Sequence, residues 1–355
     1  MLSFMQETAT VWENLQQATK PIVLYGMGNG ADRILDKCIA EHIPVAGVFA
    51  SDEFVRGQVF RSYPVLTYAQ ALEKWGDFVI VIAFASEEPQ MLARFFQLAA
   101  KHETYAPHVA VFHGDELVSK EWLTHNEERL QAVYAAWEDE ASRQVMADAL
   151  NYKLSGKMQY LRNVTARKED LQALFDFSSQ ESYADLGAYN GDTITEFLEL
   201  TGGNYEHIYA LEPDKKNFQK LKSYVEQEQL RKCTLVNKAI WSTSGTKQFY
   251  QRGGRMSSLG EAGKIPVDVV SLDEVVGQQP LTYVKMDVEG VEYQALMGAA
   301  QVLLRCQPKL FVAAYHHDND FLVLPETIKM LNPEYKLYLR RHPYVPCWEL
   351  NILAQ

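Results

Sequence analysis

The sequence predicts an α/β protein with two doubly wound, Rossmann-like sheets separated by a helical connector. Three observations carry this. The chain has 355 residues, and at roughly 100–200 residues per domain that length points to two domains. Short apolar runs alternate with helical patterns over residues 21–113 and again from residue 182, the mark of parallel strands joined by helices. Between them, residues 114–177 contain no proline and no strand-like run. The boundaries predicted are 1–113 for the first domain, 114–180 for the connector and 181–355 for the second domain.

In the first domain, the strand PIVLY (21–25) leads through a glycine-rich turn into a helix over 31–42. VAGVF (45–49), a helix near 68–75 and the strongly apolar FVIVIAFA (78–85) follow, then a helix over 88–101 and a short strand over 108–112. In the connector, Leu130, Val133, Tyr134 and Trp137 recur at i, i+3, i+4 and i+7, and Ala141 and Val145 extend the stripe. That is an amphipathic helix packed between domains. The second domain has strands over 183–187, 208–212, 234–237, 281–287 and 310–316. Its last two runs, 336–341 and 348–353, flank Pro343 and Pro346 as a terminal antiparallel hairpin.

Composition narrows the function classes. Hydrophobic residues are 47% and charged residues 23%, so the chain can bury a core and long disorder is not expected. The net charge of −12 lacks the bulk field that nucleic-acid binding needs, and no nucleic-acid partner is expected. Cys38, Cys233, Cys306 and Cys347 lie far apart, which gives no zinc cluster or disulfide framework and suits a reducing cytoplasm. The N-terminus, MLSFMQETATVWENLQ, has no basic start followed by an apolar core, so no signal peptide is expected. The apolar runs are too short for a membrane span.

The first glycine turn, Gly26-Met-Gly28-Asn-Gly30-Ala31, fits G-x-G-x-x-A after a strand and before a helix. Small residues there let a backbone approach a pyrophosphate at a helix N-terminus. Asp52, after the second strand, stands where a ribose-binding acid is expected. Gly26, Gly28, Gly30 and Asp52 thus outline an N-terminal nucleotide site. Tight-turn geometry selects the same glycines, so a structural or oligomerising role stays open beside nucleotide or nucleotide-sugar binding, with NAD-dependent redox chemistry the lesser alternative. Residues 48–65 resemble the nucleotide-sugar-binding modules of some sugar-modifying enzymes.

The second turn is denser. Asp185, Gly187, Ala188, Tyr189, Asn190, Gly191, Asp192 and Thr193 run from a strand through small residues into a helix. Glu212 and Pro213 end the next strand, where a carboxylate can accept both ribose hydroxyls, and Asn237 ends the third, bordering an adenine. Carboxylates flanking the turn disfavour a pyrophosphate and suit an amine and a sulfonium. This selects S-adenosylmethionine over NAD. The fourth strand reads YVKMDVEGVE (283–292). Alternation puts Lys285 and Asp287 on one face, with Asp287 at the carboxyl end where open sheets bind ligands. Glu289 follows in the turn, and Glu292 reads as a helix-start carboxylate favoured by the dipole.

These residues resemble the FkbM-type family of S-adenosylmethionine-dependent methyltransferases. The likeness rests on DLGAYNGDT (185–193), ALEPD (210–214), SLDE (271–274) and KMDVEGVE (285–292), and covers roughly residues 183–342. DEASR (139–143) and YKLSG (152–156) also look like longer bacterial members. The resemblance implies a seven-strand class I methyltransferase sheet with its last strand antiparallel, and O-methyl transfer to a sugar, glycan or polyketide-derived hydroxyl. By matching motifs, Asp185, Gly187, Gly191 and Glu212 would hold the cofactor, and Asp287 and Glu289 would line the site.

An aliphatic hydroxyl is a poor nucleophile, so a base or a metal should assist. Asp287, Glu289, Lys285 and the pair His316-His317, near Asp318 and Asp320, are the candidates. Asp287 with a histidine and another carboxylate could take Mg²⁺, but spacing fixes no geometry, and a divalent metal is not the favoured reading. The polar loop RGGRMSS (252–258) is placed to cover the acceptor, with Arg255 either pairing an anionic substrate or solvated. The expected protein is a cytoplasmic methyltransferase acting on a small-molecule or glycan acceptor. Its first domain is expected to bind a nucleotide-sugar or to mediate assembly as a homo-oligomer. A binding or scaffold protein on a non-catalytic methyltransferase fold is the alternative, and an NAD-dependent oxidoreductase the lesser one.

Overall fold

The computed structural model describes residues 2–110, 115–250, 258–259 and 265–355. It divides into two compact units. One comprises Met1–Ala135, Glu140–Thr165 and Arg341–Glu349, and the other Ala136–Asp139, Ala166–Arg340 and Leu350–Gln355.

The first unit is built on strands β1 (Ile22–Tyr25), β2 (Val45–Phe49), β3 (Val59–Phe60), β4 (Tyr63–Leu66), β5 (Val79–Ile82) and β6 (Thr104–Tyr105). The sheet order is β3-β4-β2-β1-β5-β6, parallel apart from the β3–β4 hairpin. Both faces of β1 and β5 are buried, which is why these strands read as unbroken apolar runs rather than alternating ones. Ala31, Ile34, Leu35 and Cys38 of helix Asn29–Ala40 recur at helical spacing and pack with Leu24, Val48 and Val81. On the opposite face Tyr25 stacks on Phe49 at 4.5 Å between ring centres, with Phe95 edge-on to Tyr25. Of the strand expected over 108–112, only residues 108–110 are among the described residues, and they form no strand. Residues 104–105 pair with Ile80 and Val81 instead, and Val111 and Phe112 lie outside the described residues. The β3–β4 hairpin is too short to register as an apolar run.

Helix Glu140–Ser155 is fastened within this unit. The Asn151 side-chain oxygen accepts the backbone N–H groups of Gln6 and Glu7 at 2.7 and 2.9 Å, and its amide donates to the Phe4 carbonyl at 3.0 Å. A buried asparagine is stable only when its donors and acceptors are satisfied in this way.

The second unit contains β7 (Ser182–Leu186), β8 (His207–Leu211), β9 (Cys233–Val236), β10 (Ala239–Ile240), β11 (Gly245–Tyr250), β12 (Ser258–Leu259), β13 (Ile265–Val270), β14 (Tyr283–Met286), β15 (Lys309–Ala313), β16 (Leu337–Arg341) and β17 (Leu350–Ala354). Seven of them form one sheet in the order β16-β17-β15-β14-β7-β8-β9. β15, β14, β7, β8 and β9 are parallel, and β17 inserts antiparallel to β15. Lys336 and Gln355 exchange both backbone hydrogen bonds, at 2.8 and 3.2 Å, closing the predicted terminal hairpin. A smaller sheet, β10-β13-β11-β12, was not anticipated, because GTKQFY carries no apolar run and β10 and β12 are two residues each. Below the main sheet Tyr183 stacks on Tyr283 at 5.0 Å and on Phe197 at 4.5 Å.

The chain leaves β7 outward through β8 and β9, then returns to the other side of β7 as β14. The strand order therefore reverses between β7 and β14, and the crevice at their carboxyl ends is where such sheets take ligands. Asp185 and Lys285 sit side by side in that register. Among the described residues, no helix is long and apolar enough to cross a membrane.

Candidate active site

The turn after β7 is shaped by contacts that leave no room for side chains. Gly187 has φ +85, and a β-carbon on it would lie 2.1 Å from the Asp287 carbonyl oxygen. The missing side chain thus lets β7 and β14 close to contact at the crevice. Gly187 and Ala188 both donate to the Leu211 carbonyl at 3.0 Å, which ties the turn to β8. Tyr189 adopts φ 44 and donates its N–H to Glu212 Oε2 at 3.0 Å. Asn190 accepts from the Asp192 N–H at 3.3 Å, and Asp192 accepts from the Thr193 N–H at 2.9 Å. Gly191, with φ 96, caps helix Asp192–Leu200.

Asp185 is fully buried, so it lies beneath this turn and supports it from below. Its Oδ2 accepts the Thr193 hydroxyl at 2.5 Å, and its Oδ1 stands 3.6 Å from Lys285 Nζ with no hydrogen bond. Burial pushes its carboxyl above the ordinary value, while Lys285 and Thr193 pull it back. Lys285, also buried, donates to the Gly187 carbonyl at 3.3 Å. Burial opposes its charge, but Asp185 and Asp287 hold its pKa above the usual lysine value.

Glu212 closes the β8 end. Its two oxygens accept backbone N–H groups, Tyr189 at 3.0 Å and Asp214 at 2.8 Å, and burial pushes its pKa up to about 7 despite those donors. Each oxygen keeps acceptor capacity for a diol. Asn237 donates to the Glu212 and Pro213 carbonyls at 2.8 and 3.1 Å, so its amide braces the neighbouring strand end.

The remaining chemistry gathers at the ends of β14 and β15. Tyr315 donates to both oxygens of Asp287, at 3.3 and 3.4 Å. His316 lies between carboxylates: Nδ1 is 2.9 Å from Glu292, and Nε2 is 3.7 Å from Asp287 and 3.8 Å from Glu289. Burial works against a charged ring, but the Glu292, Asp287 and Glu289 carboxylates override it and raise the His316 pKa to about 10. Burial raises Glu289 to about 7, with His316 opposing. Glu292 is pushed up by burial but drawn further down by His316, and ends below the ordinary carboxylate value. Asp320, buried beside them, is raised to about 7 by burial and by Glu292, and accepts the His317 N–H at 2.9 Å. Asp287, Glu292 and His316 bring one oxygen or nitrogen each within 4.8 Å of one another. With the His316 ring held by Glu292, this group reads as a carboxylate–imidazolium pair, and no residue is assigned to a metal.

The structure thus brings Asp185, Lys285, Glu212, Asp287, Glu289 and His316 to one end of one sheet. Sequence reasoning gave Glu292 only a helix-start role. Arg252 and Arg255 lie outside the described residues. A surface groove of about 520 Å³, lined by Thr195, Leu198, Glu199 and Tyr224 among others, contains none of the predicted site residues.

In the first unit, two of the three turn glycines answer packing. A β-carbon would lie 2.7 Å from the Phe84 ring at Gly26 and 2.5 Å from the Ala83 carbonyl at Gly30. At Gly28, which caps helix Asn29–Ala40, nothing lies within 4 Å. Asp52 begins an exposed 3₁₀ turn, Asp52–Phe54, and the strand ends beside it are filled by Tyr25, whose hydroxyl is 2.7 Å from Ser51.

Residues 185–346 match the family described as the methyltransferase FkbM domain. The fold is similar to a crystal structure of methyltransferase FkbM from Methylobacillus flagellatus KT, with TM-score 0.73 at 20% identity, covering 99% of this chain and 95% of that one. An rRNA methylase from Streptococcus thermophilus aligns with 53% of this chain and 92% of its own at TM-score 0.37 and 12% identity. A putative methyltransferase from Streptococcus mutans in complex with SAH covers 53% of this chain and 93% of its own at TM-score 0.36 and 11% identity. No curated protein matches the chain.

Proposed function

We propose that this chain, whose residues 185–346 form a methyltransferase FkbM domain, transfers a methyl group from S-adenosylmethionine to a hydroxyl of a sugar, glycan or related small molecule. The observation that carries the reading is the convergence of Glu212, Asp287, Glu289 and His316 at the crevice where the strand order reverses.

The donor set fits the cofactor. Glu212 is fixed by two backbone donors with acceptor capacity left for ribose hydroxyls, and Gly187 and Gly191 let the turn 187–191 pack closely against Asp287 and Tyr224. Asp185, paired with Lys285 and bonded to the Thr193 hydroxyl, braces the turn from within the protein. Bound there, S-adenosylmethionine supplies an electrophilic methyl. The chain's own work is positioning, which can contribute roughly 7–11 kcal/mol when the approach is in line. Glu289, about one-third exposed, is the proton acceptor for the hydroxyl, and Asp287, oriented by Tyr315, holds that hydroxyl. Lys285 acts from below by balancing Asp185.

A second reading concerns the first unit. Gly28 has no neighbour that its missing side chain must clear, so its small size favours the approach of a ligand. A nucleotide-sugar at Gly26, Gly28 and Gly30, reaching towards Asp52, is the corresponding proposal.

Transfer of labelled methyl from S-adenosylmethionine across neutral glycans, amino sugars and nucleotide-sugars tests the main reading. Label in an acceptor, stable to the base treatment that cleaves methyl esters, is expected. Cofactor binding with no transfer to any hydroxyl would favour the scaffold alternative instead.

A further inference from the structure

We infer, building on the methyl-transfer reading above, that Glu292 is a positioning residue that sets both the turn and the ring from which Glu289 works. It opens helix Glu292–Met297, yet its side chain is only 1% exposed and turns back into the site. One oxygen, Oε1, receives the N–H of Val288 at 3.0 Å and of Gly290 at 3.5 Å, the residues on either side of Glu289. Glu289 itself sits at φ 58, a left-handed conformation that a glutamate adopts only when its surroundings impose it. The Glu292 carboxylate is the group that grips this turn from both sides.

The same oxygen lies 2.9 Å from His316 Nδ1. That ion pair orients the ring so that Nε2 faces Asp287 and Glu289, 3.7 and 3.8 Å away. Glu292 therefore reaches Glu289 by two routes, through the backbone and through the imidazole. A carboxylate–histidine arrangement of this kind fixes ring orientation and protonation site. The carboxylates that act on the ring are Glu292 from its helix, Asp287 and Glu289 from the turn, and Asp320 from helix Asp320–Leu331. Removing the Glu292 charge takes away the carboxylate nearest the ring, while Asp287 and Glu289 stay in place.

Glu292→Gln keeps an oxygen that can accept from Val288, Gly290 and His316 Nδ1 but removes the negative charge beside the ring. Glu292→Ala removes both. With the full chain and an acceptor identified by labelled transfer, the expected order of kcat is unaltered chain, then Glu292→Gln, then Glu292→Ala. The first step falls on the order of 10²-fold, with S-adenosylhomocysteine affinity within about twofold. The ¹⁵N signals of His316 should change from a doubly protonated ring at neutral pH to a neutral ring in Glu292→Gln. Should Glu292→Ala fail to fold, the Gln variant and the ring signals still decide. Undiminished kcat in Glu292→Gln, or ring signals that ignore the substitution, would overturn this inference. Absence of transfer by the unaltered chain would instead overturn the reading beneath it.

Discussion

His316 Nδ1 lies 2.9 Å from the Glu292 carboxylate, and both side chains are almost completely buried. Breaking a buried pair by deleting one partner leaves the other charge uncompensated, which costs about 3–5 kcal/mol. Glu292→Ala and His316→Ala should each lower stability by about that amount, and the double variant should lose less than their sum. Denaturant midpoints of the four proteins measure this. Additive losses would mean that the two groups do not pair.

Lys285 and Asp185 form a second buried pair, 3.6 Å apart. Lys285→Met should impair folding stability and S-adenosylhomocysteine binding together, since it frees a buried carboxylate under the cofactor turn. Adding Asp185→Asn should restore part of the stability. A Lys285→Met protein that keeps its thermal midpoint and cofactor affinity but loses turnover would show a direct role in the chemistry instead.

The pH profile follows from Glu289 and Glu212, both raised to about 7. A proton acceptor with that value works in its ionised form, so kcat/KM should rise through pH 7 and lose this limb in Glu289→Gln. Stability should move the opposite way. A carboxyl with a raised folded value binds protons more readily folded than unfolded, so stability falls as pH climbs from its ordinary range, near 4.5, through about 7. Glu212→Gln should flatten that decline. A rate profile level from pH 5.5 to 8.5 would remove Glu289 from the proton-accepting role.

The glycine turns separate packing from ligand approach. Gly187→Ala combines φ +85 with a 2.1 Å clash on backbone, so it should destabilise by more than ~1 kcal/mol and abolish cofactor binding. Gly30→Ala should also destabilise, through its 2.5 Å clash with the Ala83 carbonyl. Gly28→Ala should leave the thermal midpoint within about 2 °C, because the site is open. Loss of nucleotide-sugar binding in that stable variant, seen by calorimetry, supports the first-unit site, and unchanged binding argues against it.

Much of the architecture was legible because buried parallel strands are apolar throughout. Residues 21–25, 45–49 and 78–85 appear as β1, β2 and β5, and the run 310–316 overlaps β15. The sheet β10-β13-β11-β12 escaped notice because strands such as Gly245–Tyr250 carry no apolar periodicity, and β3 is two residues long. In the site, side-chain types and strand ends located Asp185, Glu212, Asp287 and Glu289. What they touch was not legible. Asp185 turned out to lie beneath its turn, held by Thr193 and Lys285, because a strand residue one place before the end points into the protein. Glu292 was read from local position, as a helix-start acid, while its partner His316 is brought to it by β15, a contact that no local pattern encodes.

Calorimetry with S-adenosylhomocysteine tests the central claim most directly. The account predicts saturable binding to one site per chain in the second unit, abolished by Gly187→Ala and retained in Glu289→Gln. No heat from S-adenosylhomocysteine or S-adenosylmethionine with a folded, unaltered chain would contradict it.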